Sequence, residues 1–394
     1  MNLLALKNKT SQEIATLLNV KERDALLECF TLLGLPNKKS EEYRYFDIEK
    51  LLNQEYNREI FSPKEIRESD KIQIVDGVVV SAPKGLRIYY EACEKIALDH
   101  FDPLYYLGHL LSPYTIKIEA DGDIELEIEH RYTKSNALIT YRIVLFNQAN
   151  RHATFYENFI SEAIENTLVL YGYDMHIAQD STLRMIKMQH MQDNNYAMIA
   201  SHQINVAKNA NALLKSFDLG GDNAITQLQV VLDAYAHIDA GHLLYLNHYA
   251  KRGMVSKIIH KGEHSTSIQE AKNILDAKAR GIFDALIRVE KTAKYTKASQ
   301  NSKSILLHEN AYMIAKPQLE IYIDELEASH GATTGQLDEK QLFYLQSRGI
   351  SYVEARKILV IAFANTLIET IKDSRHQERI KQKFEEVFYS KSKG

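Results

Sequence analysis

From about residue 66 to 335 the chain alternates apolar and polar side chains in many short runs. Ile72-Gln73-Ile74-Val75, Ile116-Lys117-Ile118-Glu119, Ile124-Glu125-Leu126-Glu127-Ile128-Glu129 and Leu319-Glu320-Ile321-Tyr322-Ile323 are examples. Period two is the spacing of a strand with one buried face. Asp-Gly, Gly-Gly and Asn-rich segments separate the runs, and these residues turn a chain. Three segments share a form: Ile177-Ala178-Gln179-Asp180-Ser181-Thr182-Leu183, Val206-Ala207-Lys208-Asn209-Ala210-Asn211-Ala212 and Val289-Glu290-Lys291-Thr292-Ala293-Lys294-Tyr295. Each has an apolar strand end, polar turn residues, a small residue and a new strand. The first two lie about 30 residues apart, which suits strands coiled into a solenoid. On pattern alone a β-sandwich or barrel satisfies the same alternation.

The flanks keep a different period. Residues 1–65 read as helical: Thr10-x-x-Glu13 is a capping box, and Ala25, Leu26, Cys29, Phe30 and Leu33 recur at helical spacing until Gly34 and Pro36 stop the helix. Residues 336–394 return to helix. Asp338-x-x-Gln341 and Ser351-x-x-Glu354 start two helices, and Gly349 ends the first. The second has the stripe Ala355, Ile358, Leu359, Ala362, Phe363, Leu367 and Ile371, and a last segment puts Ile380, Phe384, Val387 and Phe388 on one side. The expected organisation is a helical region 1–65, a β core 66–335 and a helical domain 336–394.

Composition excludes several function classes. Forty-eight basic and fifty-two acidic residues give a net charge of −4, so no bulk attraction to nucleic acid or an anionic membrane is expected. No apolar run would span a bilayer, and Met1–Lys7 has too short an apolar core for a secretory signal, so a cytoplasmic protein is expected. No GxxxxGK[ST], GxGxxG or GxSxG occurs, so no nucleotide site is expected in this chain. The two cysteines, Cys29 and Cys93, form no metal-binding pattern. Cys29 reads as a packed thiol.

One passage carries more information than the rest. Lys316-Pro317-Gln318-Leu319-Glu320-Ile321-Tyr322 ends a strand, Ala328-Ser329-His330-Gly331-Ala332-Thr333-Thr334-Gly335-Gln336-Leu337-Asp338 reads as a tight Ser-His-Gly turn leading into a helix, and Tyr344-Leu345-Gln346-Ser347-Arg348-Gly349-Ile350 follows. The passage resembles the signature of the SufB/SufD family of iron–sulfur cluster assembly scaffolds. Gly34-Leu35-Pro36, with Glu41, Glu42, Tyr43, Arg44, Tyr45 and Asp47 behind it, and Ser267-Ile268-Gln269-Glu270-Ala271-Lys272-Asn273-Ile274 leading to Ala279-Arg280-Gly281-Ile282-Phe283, are similar to further family segments. No thiol follows Cys93, whereas the SufB branch carries a late cysteine, so the resemblance is to the SufD branch.

That resemblance implies a mainly β fold: a right-handed parallel β-helix core with a helical N-terminal region and a helical C-terminal domain. It implies a non-catalytic scaffold subunit that pairs with a SufB-like scaffold through the last β-helix strands and docks a SufC-like ATPase through the terminal helices. It implies that His330 helps bind a nascent Fe–S cluster shared with the SufB-like partner, and that Tyr344, Arg348 and Gly349 belong to the docking region. The residues themselves leave other readings open. His330 is equally a histidine satisfied by a turn. Glu320, Tyr322 and Asp324 share a polar face that needs no metal. His260-x-x-x-His264 has a metal-like spacing interrupted by Gly262. A β-helix carbohydrate-active enzyme, a self-associating structural protein, and a homodimer of the isolated chain stay open too.

Overall fold

The computed structural model describes residues 1–19, 23–37, 39–40, 43, 46, 48–58, 62–91, 101–120, 122–190, 196–220 and 223–390. A short 3-10 turn, Leu3–Leu6, precedes helices α1 (Ser11–Leu18), α2 (Asp24–Leu33) and α3 (Ile48–Leu52), with α4 (Pro103–Leu111) further on. The capping box forms: Thr10 Oγ1 accepts from Glu13 N–H at 3.3 Å, and the Glu13 carboxylate accepts from Thr10 N–H at 2.8 Å. Helix α2 buries Leu26, Leu27, Cys29 and Phe30, so Cys29 is a packed thiol; Cys93 lies outside the described residues. Tyr43 and Phe46 enter one core with Leu104 and Leu107 of α4 and with Ile199, Ile225 and Ile282 of the β region. Tyr43 hydroxyl donates to the Asp102 carboxylate at 2.8 Å and accepts from the Gln227 amide. The aromatic loop therefore pins the helices to the β core; its Arg44, Tyr45 and Asp47 lie outside the described residues.

The strands are β1 (Asn57–Arg58), β2 (Arg67–Glu68), β3 (Ile72–Val75), β4 (Val78–Ala82), β5 (Arg87–Glu91), β6 (Thr115–Ala120), β7 (Ile124–Tyr132), β8 (Ala137–Asn147), β9 (His152–Ser161), β10 (Thr167–Ile177), β11 (Thr182–His190), β12 (Tyr196–Val206), β13 (Asn211–Leu219), β14 (Asn223–Leu232), β15 (His237–Leu246), β16 (Lys251–His260), β17 (Thr266–Leu275), β18 (Arg280–Val289), β19 (Thr296–Leu306), β20 (Tyr312–Ile321) and β21 (Leu326–Gly335). Even-numbered strands from β6 to β20 stack in one sheet and odd-numbered strands from β7 to β21 in the other. Neighbours within each stack run parallel, and each coil adds one strand to each sheet. The core is a parallel β-solenoid, as the resemblance implied. Antiparallel pairs occur at its start, β3 with β4 and β5 with β6.

The three repeated sequence segments occupy one corner of this solenoid. Ile177 pairs with Val206, Val206 with Leu232, Leu232 with His260, and His260 with Val289. Just beyond, Asn150, Asp180, Asn209, Tyr235, His264 and Tyr295 each take a positive φ. Their N–H groups bond to the next coil: Asp180 to Lys208 O, Asn209 to Ala234 O, Tyr235 to Glu263 O and His264 to Lys294 O. Asn and Asp tolerate this left-handed geometry. Tyr235, His264 and Tyr295 adopt it with their rings stacked, centroids 4.9 Å apart at each step.

Charged side chains are also buried where α4 covers the outer face of the solenoid. Arg142 is fully buried on β8; its guanidinium donates to Ser201 O at 2.7 Å and lies 3.1 Å from Asp174. Asp174 also accepts from Tyr105 hydroxyl at 2.8 Å and lies 3.2 Å from His109, which fastens α4 to the solenoid. Gly172 makes room for this group: a Cβ there would lie 2.1 Å from Arg142 Nη1 and 1.8 Å from Ser201 O.

Helices α5 (Glu339–Ser347), α6 (Tyr352–Ile368) and α7 (Ser374–Ser390) close the fold. Asp338 and Ser351 cap α5 and α6 as their positions imply, and Gly349, at φ +86°, ends the α5 turn. Ile380, Phe384, Val387 and Phe388 of α7 are buried with Phe217, Leu219, Leu243 and Tyr245 of the solenoid. The α6 stripe differs from its sequence reading. Val360, Ala364 and Ile368 join Ala355, Leu367 and Ile371 inside, while Ile358 and Ala362 face out. This helix is apolar almost all round, so its period does not fix which face packs. No helix among the described residues is long and apolar enough to cross a membrane.

Candidate functional site

The last coil leaves the solenoid open. Strands β20 and β21 end their sheets, and among the described residues no strand pairs with their outer edges. The residues of β21 are half-buried or exposed along its length. His330 lies in the middle of this strand, not in a turn. Ser-His-Gly reads as a turn because small polar residues usually mark one; here they are small because this coil has no further coil to pack against.

Register gives His330 its direction. Gln269 on β17 pairs with Gln300 on β19, and Gln300 pairs with His330 on β21. Gln269 and Gln300 are both buried inward-facing residues. Alternation therefore puts His330 on the inner face of the solenoid, at the one level where that face is uncovered. Its ring is exposed and makes no hydrogen bond with a described residue. An imidazole held this way on a strand is a sterically accessible ligand for a transition metal.

The neighbouring acidic groups do not join it. Glu320 lies 3.8 Å from Arg288, whose guanidinium sits 5.2 Å above the Tyr322 ring. Asp324 O accepts from Leu326 N–H in the corner between the two strands. Glu325 and Glu327 lie 3.7 and 3.1 Å from Lys294 and Lys297. Each of these carboxylates except Asp324 sits beside a cation, so among the described residues the end of the solenoid offers one ring and no gathered ligand set. His260 and His264 do not converge either. His260 is buried, with Nδ1 2.8 Å from Ser265 Oγ and Nε2 2.9 Å from Ser267 Oγ. Burial lowers its pKa to about 4, which keeps it neutral. His264 stands in the stacked corner column.

Among the described residues one group of three potential ligands lies close together: Glu125, Asp373 and His376. Arg375 and Arg379 bridge the same region, 3.8 Å from Glu125 and 3.3 Å from Glu127. Asp373 also caps α7 through His376 N–H at 2.9 Å, a bond that lowers its pKa to about 2. The arginines balance the charge, so this group reads as a clamp between α7 and β7.

A second feature flanks the open end. Tyr344 on α5 and Arg348, which caps its C-terminus, are exposed, and the Arg348 guanidinium lies 5.3 Å from the Tyr344 ring centre. Phe343, Tyr352, Val353 and Ile358 are exposed too; Phe343 keeps 73% of its surface in contact with solvent. Helices α5 and α6 thus carry several exposed apolar side chains, and Phe343 and Tyr352 line a cleft with Leu306, Leu307 and His308 at the end of β19. Inside the solenoid a cavity of about 70 Å³ lies among Lys187, His202, Lys215, His242 and Gln269, with room for a few waters. The buried glutamines and the buried charged groups were not legible as functional in the sequence. In an alternating strand a polar residue is read as facing out, and only register shows that these glutamines face in.

The family model for the SufBD core domain of the SUF system of FeS cluster assembly matches residues 130–363, and the model for the SufBD protein N-terminal region matches residues 4–71. The chain belongs to the SufBD family. It is 30% identical over 244 residues to the iron–sulfur cluster assembly protein SufD of Escherichia coli, covering 61% of this chain and 57% of that protein. A SufBD family protein of Mycobacterium tuberculosis is 27% identical over 277 residues, 69% of this chain and 62% of that one. A SufD of Plasmodium falciparum is 26% identical over 256 residues, 64% of this chain and 17% of that one. The chain thus matches just over half the length of the E. coli relative. It is a SufBD family protein, the family whose core domain is that of the SUF system of FeS cluster assembly.

Proposed function

We propose that this chain is the SufD-like scaffold subunit of an iron–sulfur cluster assembly complex. It pairs with a SufB-like scaffold along the outer edges of β20 and β21, where strand addition satisfies unpaired backbone groups. His330 then faces the partner across the seam and supplies one ligand to the nascent cluster, which is cargo. The remaining ligands come from the partner, because this chain offers only two cysteines, one of them packed in α2. The exposed apolar side chains of α5 and α6, with Tyr344 and Arg348, and Gly349 ending the α5 turn, receive a SufC-like ATPase. The chain binds no nucleotide, works in the cytoplasm and is not itself a catalyst.

The observation that carries this reading is an unpaired solenoid end with a bare histidine on its inner face. A carbohydrate-active reading needs a pair of carboxylates about 5–10 Å apart and poised for acid–base work; three of the four acids near this end are neutralised by Arg288, Lys294 and Lys297. Reconstitution with SufB-like and SufC-like partners tests the proposal. His330→Ala is expected to reduce bound iron and sulfide while the complex elutes at the same size; an undiminished cluster yield would remove His330 from the role. ATPase docking is tested with Tyr344→Ser combined with Arg348→Glu. Removing 336–394 would instead expose the core that α6 and α7 share with the solenoid. Loss of the ATPase subunit with retention of the scaffold pair is expected, and retention of both argues against that surface. A stable homodimer that forms in preference to the mixed pair would favour the self-associating reading.

A further inference from the structure

We propose that Gln300 is a positioning residue for His330: its carboxamide oxygen accepts the imidazole N–H and turns the other ring nitrogen outward as the ligand. The inference rests on the reading of His330 as a cluster ligand and adds the group that prepares it.

Gln269, Gln300 and His330 form one inward column on three successive parallel strands, whose backbones are about 4.8 Å apart. The hydrogen bonds in the column all run one way. Gln269 Nε2 donates to Ser256 Oγ at 2.7 Å, and Gln300 Nε2 donates to Gln269 Oε1 at 3.2 Å. The last acceptor, Gln300 Oε1, is buried and has no partner. The next side chain in the column is His330, a ring without a hydrogen bond to any described residue.

The two needs match. A buried amide oxygen requires a donor. A neutral imidazole has one N–H and one lone pair, and a metal takes the lone pair, so the N–H needs an acceptor. Ligating histidines ordinarily donate this second nitrogen to a carboxylate, a carbonyl or water, which fixes the tautomer and the ring plane. Gln300 supplies such a carbonyl from a strand whose own side chain is held by Gln269. The ring would then be preorganised before any partner arrives.

The test reads the tautomer of His330 in the full-length chain, by long-range ¹H–¹⁵N spectra of ring-labelled histidine. The His330 signals are identified as those lost in His330→Ala. One tautomer should dominate in the wild type; the mixture typical of free imidazole would overturn the inference without any variant. In Gln300→Met, of similar volume, the tautomer ratio should move about five-fold toward the free mixture, the loss of one ordinary hydrogen bond. Gln300→Glu, still an acceptor, should restore the wild-type preference, and Gln300→Leu replaces Gln300→Met should that variant fold poorly. An unchanged ratio in the apolar variant overturns the inference even if His330 proves essential. Conversely, a shifted ratio with undiminished assembly in His330→Ala keeps the contact and removes the ligand role. In the reconstituted complex, Gln300→Met should weaken ferrous iron retention about ten-fold, as loss of an outer-shell partner does.

Discussion

The two ends of the solenoid hold a histidine each, and the protein treats them in opposite ways. At the first end Ile72, Ile74, Ile116, Ile118 and Ile128 are sealed under the antiparallel pair β3–β4 and the strand β5. There His130, on β7, is wholly buried. Its Nδ1 lies 2.8 Å from Tyr141 hydroxyl, its Nε2 2.8 Å from Glu157, and its ring stacks on Phe159 at 4.6 Å. Burial pushes the Glu157 carboxyl up, but His130 and Lys187 pull it below its ordinary value, so it stays charged inside. At the last end the inner face is Ala328, His330, Ala332 and Thr334, partly or fully exposed, with no cap from the described chain. A protein that had to stand alone would blunt such an edge. The contrast teaches that the first end is finished by its own chain, while among the described residues nothing covers the last end.

The largest expected effect breaks the sealed part. Asp174→Ala leaves Arg142 buried without its counter-charge, and should cost about 3–5 kcal/mol. Urea unfolding followed by far-ultraviolet circular dichroism measures it; a loss under 1 kcal/mol would mean that Arg142 finds water where the packing shows none. His130→Ala comes next. It strips Glu157 and Tyr141 of a partner and should cost about 2–3 kcal/mol.

Acid should weaken the sealed part. Burial, together with Arg142, lowers the His109 pKa to about 4, and burial lowers that of His202 to about 3. Both rings are therefore neutral in the folded chain; His202 Nδ1 accepts from Tyr173 N–H at 3.1 Å. Unfolded, each would titrate near 6.5. The unfolded state thus binds more protons between those values, so stability is complete above pH 6.5 and falls as pH drops toward 4. Each histidine contributes a slope of at most about 1.4 kcal/mol per pH unit. Urea midpoints at pH 7, 6 and 5 should show the decline, and His202→Asn, which keeps an acceptor for Tyr173, should flatten it. An unchanged slope in that variant would place the proton uptake elsewhere.

How far the sequence could be read depends on which face a residue uses. Ile72 and Ile74, or Ile116 and Ile118, announce strands because apolar side chains alternate with polar ones. The turn segments after Ile177, Val206 and Val289 announce a repeat because the same corner needs the same small and polar residues. The coils between them were hidden, since Leu232 and His260 hold the same register without the same letters. Gln269 and Gln300 were hidden for the opposite reason: they are polar residues pointing inward, made tolerable by partners from other coils. Arg142 and Asp174 point outward, and helix α4 buries them. His330 was legible as a residue and not as a place. Its neighbours are turn-like letters in a strand that has nothing above it. The α6 phase was lost because Ile358 and Ala362 are as apolar as the Val360 and Ala364 that pack.

The smallest expected effect sharpens the comparison most. His330→Ala should change stability by no more than about 1 kcal/mol, since an exposed ring has at most its bond to Gln300 to lose. Paired with His130→Ala, it sets one residue type against itself in one fold. If the ring at the open end is kept for a partner, its removal should move the urea midpoint only slightly and still reduce cluster yield in the assembled complex. A cost above about 3 kcal/mol in the isolated chain would instead make His330 part of the fold, holding the last coil in place. The open end would then be a frayed edge with no prepared ligand, and the asymmetry between the two histidines would lose its functional meaning.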